Sequence, residues 1–167
     1  MIPVLGFAAY SGTGKTTLIE QIIPRLKNEG IRLAVIKHDA HGLKFDKEGK
    51  DSWRFSNAGA DYSLVNGPEQ SAIFVSRPLS LEEAIGMIAD VDLILIEGYK
   101  TGTFDKVGIS RMETGKGFPD DPQHFKALVT DDTTYLDKTD ANLPPVFALN
   151  DVDGITNWIL DIYIREV

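Results

Sequence analysis

No cysteine occurs among the 167 residues. That excludes disulfides, iron–sulfur clusters, thiolate zinc sites and a thiol nucleophile, and nothing in the chain calls for an oxidising compartment. Positive charge is also short. Lys and Arg number 17 against 25 Asp and Glu, which leaves a formal net charge of −8 and a pI near 4.8. Such a balance argues against holding nucleic acid by broad phosphate neutralisation. It does not exclude one small anionic ligand, which responds to local geometry. Long apolar runs are missing too. The uncharged stretch Met1 to Gly14 is broken by Ser11-Gly12-Thr13-Gly14 and falls short of the roughly 20 residues that cross a bilayer. With no basic stretch ahead of it, it does not read as a signal peptide. The expectation is a soluble, cytoplasmic protein with no membrane or nucleic-acid role. The length suits one domain, 1–167, with a core large enough to need no staple.

What is present is an alternation of apolar runs and amphipathic stretches. Pro3 to Ala9 reads as a buried strand entering the glycine-rich turn Tyr10-Ser11-Gly12-Thr13-Gly14. Leu18, Ile19, Ile22, Ile23 and Leu26 then form one helical face that ends near Asn28-Glu29-Gly30, with Pro24 predicting a kink. Ile31 to Ile36 is a second strand, and this strand–helix–strand unit implies parallel pairing. Asp51 to Asn57 predicts a short helix. Tyr62 to Val65 and Ala72 to Val75 predict two strands across Asn66-Gly67-Pro68-Glu69. Ser80 with Glu83 forms a capping-box signature. Val91 to Ile96 is nearly continuous aliphatic, as suits a parallel strand buried on both faces. Val107 to Arg111, Ala127 to Val129 and Val146 to Leu149 are further strands. Glu113 to Gln123 reads as a mobile loop, and Asp151 or Asp153 caps a last helix. The fold class is α/β, a three-layer sandwich with a mostly parallel central sheet.

The strongest signal is Ala9 to Thr17. It matches G-x-x-x-x-G-K-[ST] at every fixed position but the first, where alanine replaces glycine. Glycines let backbone N–H groups turn toward a phosphate. Ser11, Gly12, Thr13, Gly14, Lys15, Thr16 and Thr17 are thus the candidate nucleotide-binding residues. Lys15 supplies charge toward the β- and γ-phosphates and the Thr16 hydroxyl can ligate Mg²⁺. This machinery also uses an acid at the end of a buried strand. Glu97, followed by Gly98, fits that second metal role, whereas Asp92 stands at the strand's opposite end.

The chain resembles the MobB family, the molybdopterin-guanine dinucleotide biosynthesis proteins B. The resemblance runs almost end to end. It rests on Ala9 to Leu18, Val35 to His41 (VIKHDAH), Asp46 to Arg54 (DKEGKDSWR), Asn57 to Ala60, Asp92 to Lys100 (DLILIEGYK) and Leu149 to Ile155 (LNDVDGI). It implies a GTP-binding protein with at most weak Mg²⁺-dependent GTPase activity, usually a homodimer. Such a protein assists attachment of GMP to molybdopterin as an adaptor or carrier. The partners it implies are molybdopterin or its nucleotide derivative, the molybdenum-cofactor nucleotidyltransferase and a molybdenum-insertion enzyme. The histidine cluster is thinner here, His38-Asp39-Ala40-His41. Two histidines without a third ligand make a weak metal site, and a polar loop whose Lys37 or His38 touches phosphate is the blander reading.

Other roles stay open at this stage. Lys50, Asp51 and Arg54 either bind pterin phosphate or cap and decorate a helix. Tyr99 and Lys100 either reach a substrate or form a rim. No Asn-Lys-x-Asp element is present to read guanine. Asp131 is the candidate base reader, with Asn150 and Asp151 competing. A small-molecule kinase and a metal-insertion GTPase are the alternatives. The first is disfavoured because Glu113 to Gln123 holds no arginine, the second because cysteine is absent.

Overall fold

The structure, a computed structural model, describes residues 1–38, 46–99, 102–136 and 142–165. The elements in chain order are β1 (Val4–Ala9), α1 (Lys15–Asn28), β2 (Leu33–Lys37), α2 (Asp51–Asn57), β3 (Tyr62–Asn66), β4 (Ser71–Val75), α3 (Leu81–Gly86), β5 (Leu93–Glu97), β6 (Asp105–Ile109), β7 (Ala127–Thr130), α4 (Thr133–Leu136), β8 (Val146–Ala148) and α5 (Val152–Leu160). The chain divides into two units. One comprises Met1–His38 with Ile88–Val167, the other Asp39–Met87.

The larger unit is built on a six-stranded sheet in the order β2-β5-β1-β6-β7-β8. Every neighbouring pair in it is parallel. Consecutive residues of a strand face opposite sides, and the core divides accordingly. Leu5, Phe7, Leu93, Leu95, Val107 and Ile109 pack on one side with the apolar faces of α1 and α5. Ala8 and Leu128 face the other side, where Phe125 covers them with Phe118 and Tyr135 packed alongside. The sheet is therefore flanked on both faces, as the apolar patterning predicts.

Helix α1 buries Leu18, Ile19, Ile22 and Leu26 and continues through Pro24 to Asn28. Its last turn carries Arg25 and Lys27 beside the negative end of the helix dipole. Asp151 caps α5 by accepting the Gly154 N–H at 2.9 Å, which settles the choice between Asp151 and Asp153. Beyond Leu160 the chain widens into a π-helical turn, Asp161–Arg165. The stretch expected to be a mobile loop holds defined structure. A 3-10 turn spans Met112–Thr114, another spans Pro122–His124 with Asp121 as its cap, and Arg111 bridges to Lys116.

Strands β2 and β5 are clipped at their entrance. The Asp92 carboxylate accepts hydrogen bonds from the Arg32 backbone N–H, Nε and Nη2 at 2.8, 3.2 and 2.8 Å. The Arg32 side chain, then its backbone N–H, hold the Asp92 carboxyl down at about 2. A carboxyl depressed on folding stabilises the fold above its unfolded value near 3.9, and loses that effect as pH falls through about 2. Asp92→Asn should thus lower the melting midpoint at neutral pH. The gap to the unmutated chain should narrow between pH 4 and pH 2, measured by circular dichroism melts.

The smaller unit contains α2, the antiparallel hairpin β3–β4 and α3. The Ser80–Glu83 capping box forms as predicted. The Glu83 N–H donates to Ser80 Oγ at 3.1 Å, and the Ser80 N–H to Glu83 Oε2 at 2.8 Å. Leu64, Val65 and Ile73 stand exposed on the hairpin. No helix among the described residues is long and apolar enough to cross a membrane.

Candidate functional site

In a parallel sheet, ligands sit beyond the carboxyl ends of the strands, where neighbouring connections diverge. Here that place is the end of β1, which lies between β5 and β6. Ala9 is the last residue of β1 and pairs with Ile109 in ordinary strand geometry. The replacement of the first motif glycine therefore carries no strain. The turn itself does need glycine. Gly12 and Gly14 both take φ of +88°, in the left-handed region that side chains disfavour. Thr13 is buried, and its hydroxyl donates to the Tyr10 carbonyl at 3.0 Å, closing the loop on itself.

Gly14 is also the N-cap of α1. No side chain caps this helix and its first turn holds no acidic residue. Its opening N–H groups and dipole are left to face an anion. The loop from Tyr10 to Thr17 lines a cavity of ≈ 480 Å³ together with Lys37, Glu97 and Arg111.

Glu97, at the end of β5, is only 8% exposed. The Thr16 hydroxyl donates to its Oε1 at 2.8 Å, and Lys15 Nζ lies 3.6 Å from the same oxygen. Lys37 Nζ stands 4.0 Å from Oε2. The two residues assigned to metal from the sequence are thus adjacent, although 81 positions apart in the chain. Their oxygens suit a hard cation, because cis ligands at about 2.1 Å from one Mg²⁺ stand roughly 3 Å apart. Among the described residues no group of three His, Cys, Asp or Glu side chains could cage a metal. Any cation at Thr16 and Glu97 would have to complete its shell with water and phosphate oxygens.

The remaining candidates separate. The His38 ring packs on Tyr99, with centroids 4.4 Å apart, and the His38 N–H donates to the Glu97 carbonyl at 2.9 Å. Gly98 and Tyr99 follow Glu97 at φ of +100° and +48°. A Cβ on Gly98 would lie 3.0 Å from that of His38. His38 is thus a packing partner of the turn that ends β5. His41 and Lys100 lie outside the described residues. In the smaller unit Lys50 occupies the N-cap of α2. Asp51 stands in the first turn, 3.6 Å from Arg54, and both side chains are exposed. Asp131 does not line the loop cavity, and its Oδ1 accepts the Met112 N–H at 2.8 Å. Asn150 lines a neighbouring cavity with Thr17, Gln21, Arg111 and Leu149.

Sequence reading missed Arg111 as a site residue and left Lys37 undecided. The signal for Arg111 was its position just past β6, beside the end of β1. It also stands just before the 113–123 segment whose lack of arginine counted against phosphoryl transfer.

Comparison with known proteins agrees with this geometry. The family model for molybdopterin guanine dinucleotide synthesis protein B matches residues 4–131. A molybdopterin-guanine dinucleotide biosynthesis adapter protein from Haemophilus influenzae is 38% identical over 164 residues, covering 95% of this chain and 90% of that protein. The Escherichia coli protein of the same name is 35% identical over 170 residues, covering 96% and 93%. The crystal structure of Bacillus subtilis MobB superposes with a TM-score of 0.75 at 27% identity, covering 96% of this chain and 97% of that one. With the phosphate loop, the buried Glu97 and the parallel sheet in their places, the chain belongs to the molybdopterin guanine dinucleotide synthesis protein B family, MobB.

Proposed function

We propose that this protein binds Mg·GTP on the loop Ser11 to Thr17 and acts as an adapter in molybdopterin guanine dinucleotide synthesis. The observation that carries the reading is the contact of Thr16 with Glu97 beside the uncapped start of α1. In this reading the backbone N–H groups of residues 11 to 17 hold the phosphates. Lys15 leaves Glu97 for the β- and γ-phosphates. Thr16 would hold Mg²⁺ directly and Glu97 directly or through water, and the ion would supply positive charge for the β- and γ-phosphates. The relatives' adapter name supports a role beside a catalyst, and among the described residues that line the cavity Glu97 is the one acid. Hydrolysis is at most slow, below the ~1–100 s⁻¹ of kinases.

The partners in this reading are a nucleotidyltransferase that joins GMP to molybdopterin, a molybdenum-insertion enzyme, and the pterin itself. A second copy of the chain is the fourth, supported by the exposed apolar residues of the hairpin. The test is co-purification of the tagged chain with that nucleotidyltransferase, with and without Mg·GTP. Retention that rises with GTP and is lost in Lys15→Ala is expected. Equal absence of retention in every condition would remove the adapter role.

A further inference from the structure

We propose that Arg111 is a diphosphate clamp, its guanidinium gripping the α- and β-phosphates of the bound nucleotide, and that Asp131 is the residue that positions it. The inference rests on the nucleotide-binding reading above and adds to it which side chain holds the inner phosphates.

Arg111 lines two cavities that share Thr13, Gly14 and Thr17. The first is the phosphate-loop cavity, where Lys15 and Lys37 both lean on Glu97. The second, of ≈ 270 Å³, is bounded by Gln21, Leu149 and Asn150, with Arg111 the one cation among its described lining residues. An apolar surface flanked by two amides suits a nucleoside better than further phosphate. Arg111 therefore stands at the junction between a phosphate end and a nucleoside end, where the α- and β-phosphates of a nucleotide would lie. A Cβ built on Gly14 would come within 3.7 Å of Nη1, which places the guanidinium over the first turn of α1. A planar guanidinium can donate to two phosphate oxygens at once, which a lysine ammonium cannot match in geometry. The competing ion pair is weak, since Arg111 Nε lies 3.8 Å from a largely exposed Glu113.

The backbone that presents Arg111 is fixed on both sides. Before it, the Ser110 and Thr130 hydroxyls share a buried hydrogen bond of 2.8 Å. After it, the Met112 N–H donates to Asp131 Oδ1 at 2.8 Å. The Arg111 carbonyl accepts from the Thr114 hydroxyl at 2.7 Å, and Lys116 Nζ stands 5.6 Å over the ring of Tyr10, back on the phosphate loop. Asp131 thus fixes the turn that aims the guanidinium.

The test is calorimetric titration of the full chain with Mg·GTP and with Mg·GDP. Arg111→Ala should weaken both nucleotides by the same factor, about tenfold to a hundredfold, as for loss of charged hydrogen bonds to phosphate. Arg111→Lys should recover only part of the loss. Asp131→Ala should weaken both nucleotides less than Arg111→Ala does. Asp131→Asn should restore affinity, because an amide oxygen still accepts the Met112 N–H. The double variant Arg111→Ala/Asp131→Ala should bind no worse than Arg111→Ala alone, since one residue acts through the other. Unchanged affinity in Arg111→Ala would overturn the clamp. So would a loss confined to GTP, or additive effects in the double variant. If the unmutated chain bound neither nucleotide, the nucleotide-binding reading itself would fall.

Discussion

Lys15→Ala should weaken Mg·GTP binding by roughly thirty- to a hundredfold, equivalent to about 2–3 kcal/mol for a lost charged hydrogen bond to phosphate. The physical reason is the local supply of positive charge. In a chain of net charge −8 the triphosphate must be neutralised by a few groups at one point. The loop offers backbone N–H donors and the open end of α1, and Lys15 is the cation built into it. Stability should change little. In the free protein Lys15 lies 3.6 Å from Glu97, which keeps its 2.8 Å bond to Thr16 when the lysine is gone. Melting within a few degrees of the unmutated chain, with affinity collapsed, separates a binding residue from a structural one. Unchanged affinity would take Lys15 out of the site.

Leu95→Ala should be the most damaging change to the fold. Leu95 is fully buried in β5, which runs between β2 and β1 and is buried along its whole length. Its neighbours across the sheet are Leu5 and Val35. Removing the side chain there takes away transfer energy and leaves a cavity, together about 2–5 kcal/mol. That is a large share of the ~5–15 kcal/mol that holds a typical domain folded. In a chain of this size it should lower the melting midpoint by roughly 5–15 °C. Because β5 also delivers Glu97, Mg²⁺-dependent binding should weaken with it. A midpoint shift of a degree or less would contradict the position of Leu95 in the core.

Much of this was legible in the chain itself. The aliphatic run before Glu97 identified a doubly buried strand, and Glu97 lies at its carboxyl end as expected. The spacing of Leu18, Ile19, Ile22 and Leu26 identified the buried face of α1. Local pattern sufficed in these places because periodicity and packing agree. It did not suffice for residues 113–123. Glycines and prolines suggested mobility there, yet Phe118 packs against Phe125 and edge-on to Tyr135, with centroids 6.2 and 5.2 Å apart. Those contacts tie the segment to Phe125 and Tyr135, beyond its own end, and leave no mark in its local composition. Helix α4, one turn long, likewise has no periodicity to read. Asp131 illustrates the same limit at the site. Its place after β7 suggested base recognition; the hydrogen bond that its Oδ1 accepts from the Met112 N–H, 19 residues earlier, could not be read from the chain. Arg111 and Lys37 join the cavity through strand order, which puts β6 beside β1 and β2 beside β5.

The most direct measurement is a calorimetric titration of the unmutated chain with GTP, once with Mg²⁺ and once with the metal removed by EDTA. Saturable binding of one GTP per chain, markedly weaker without Mg²⁺ and collapsing in Lys15→Ala, is the expected result. Absence of GTP binding in the presence of Mg²⁺, or binding indifferent to both the metal and Lys15, would contradict the assignment of this loop as the nucleotide site.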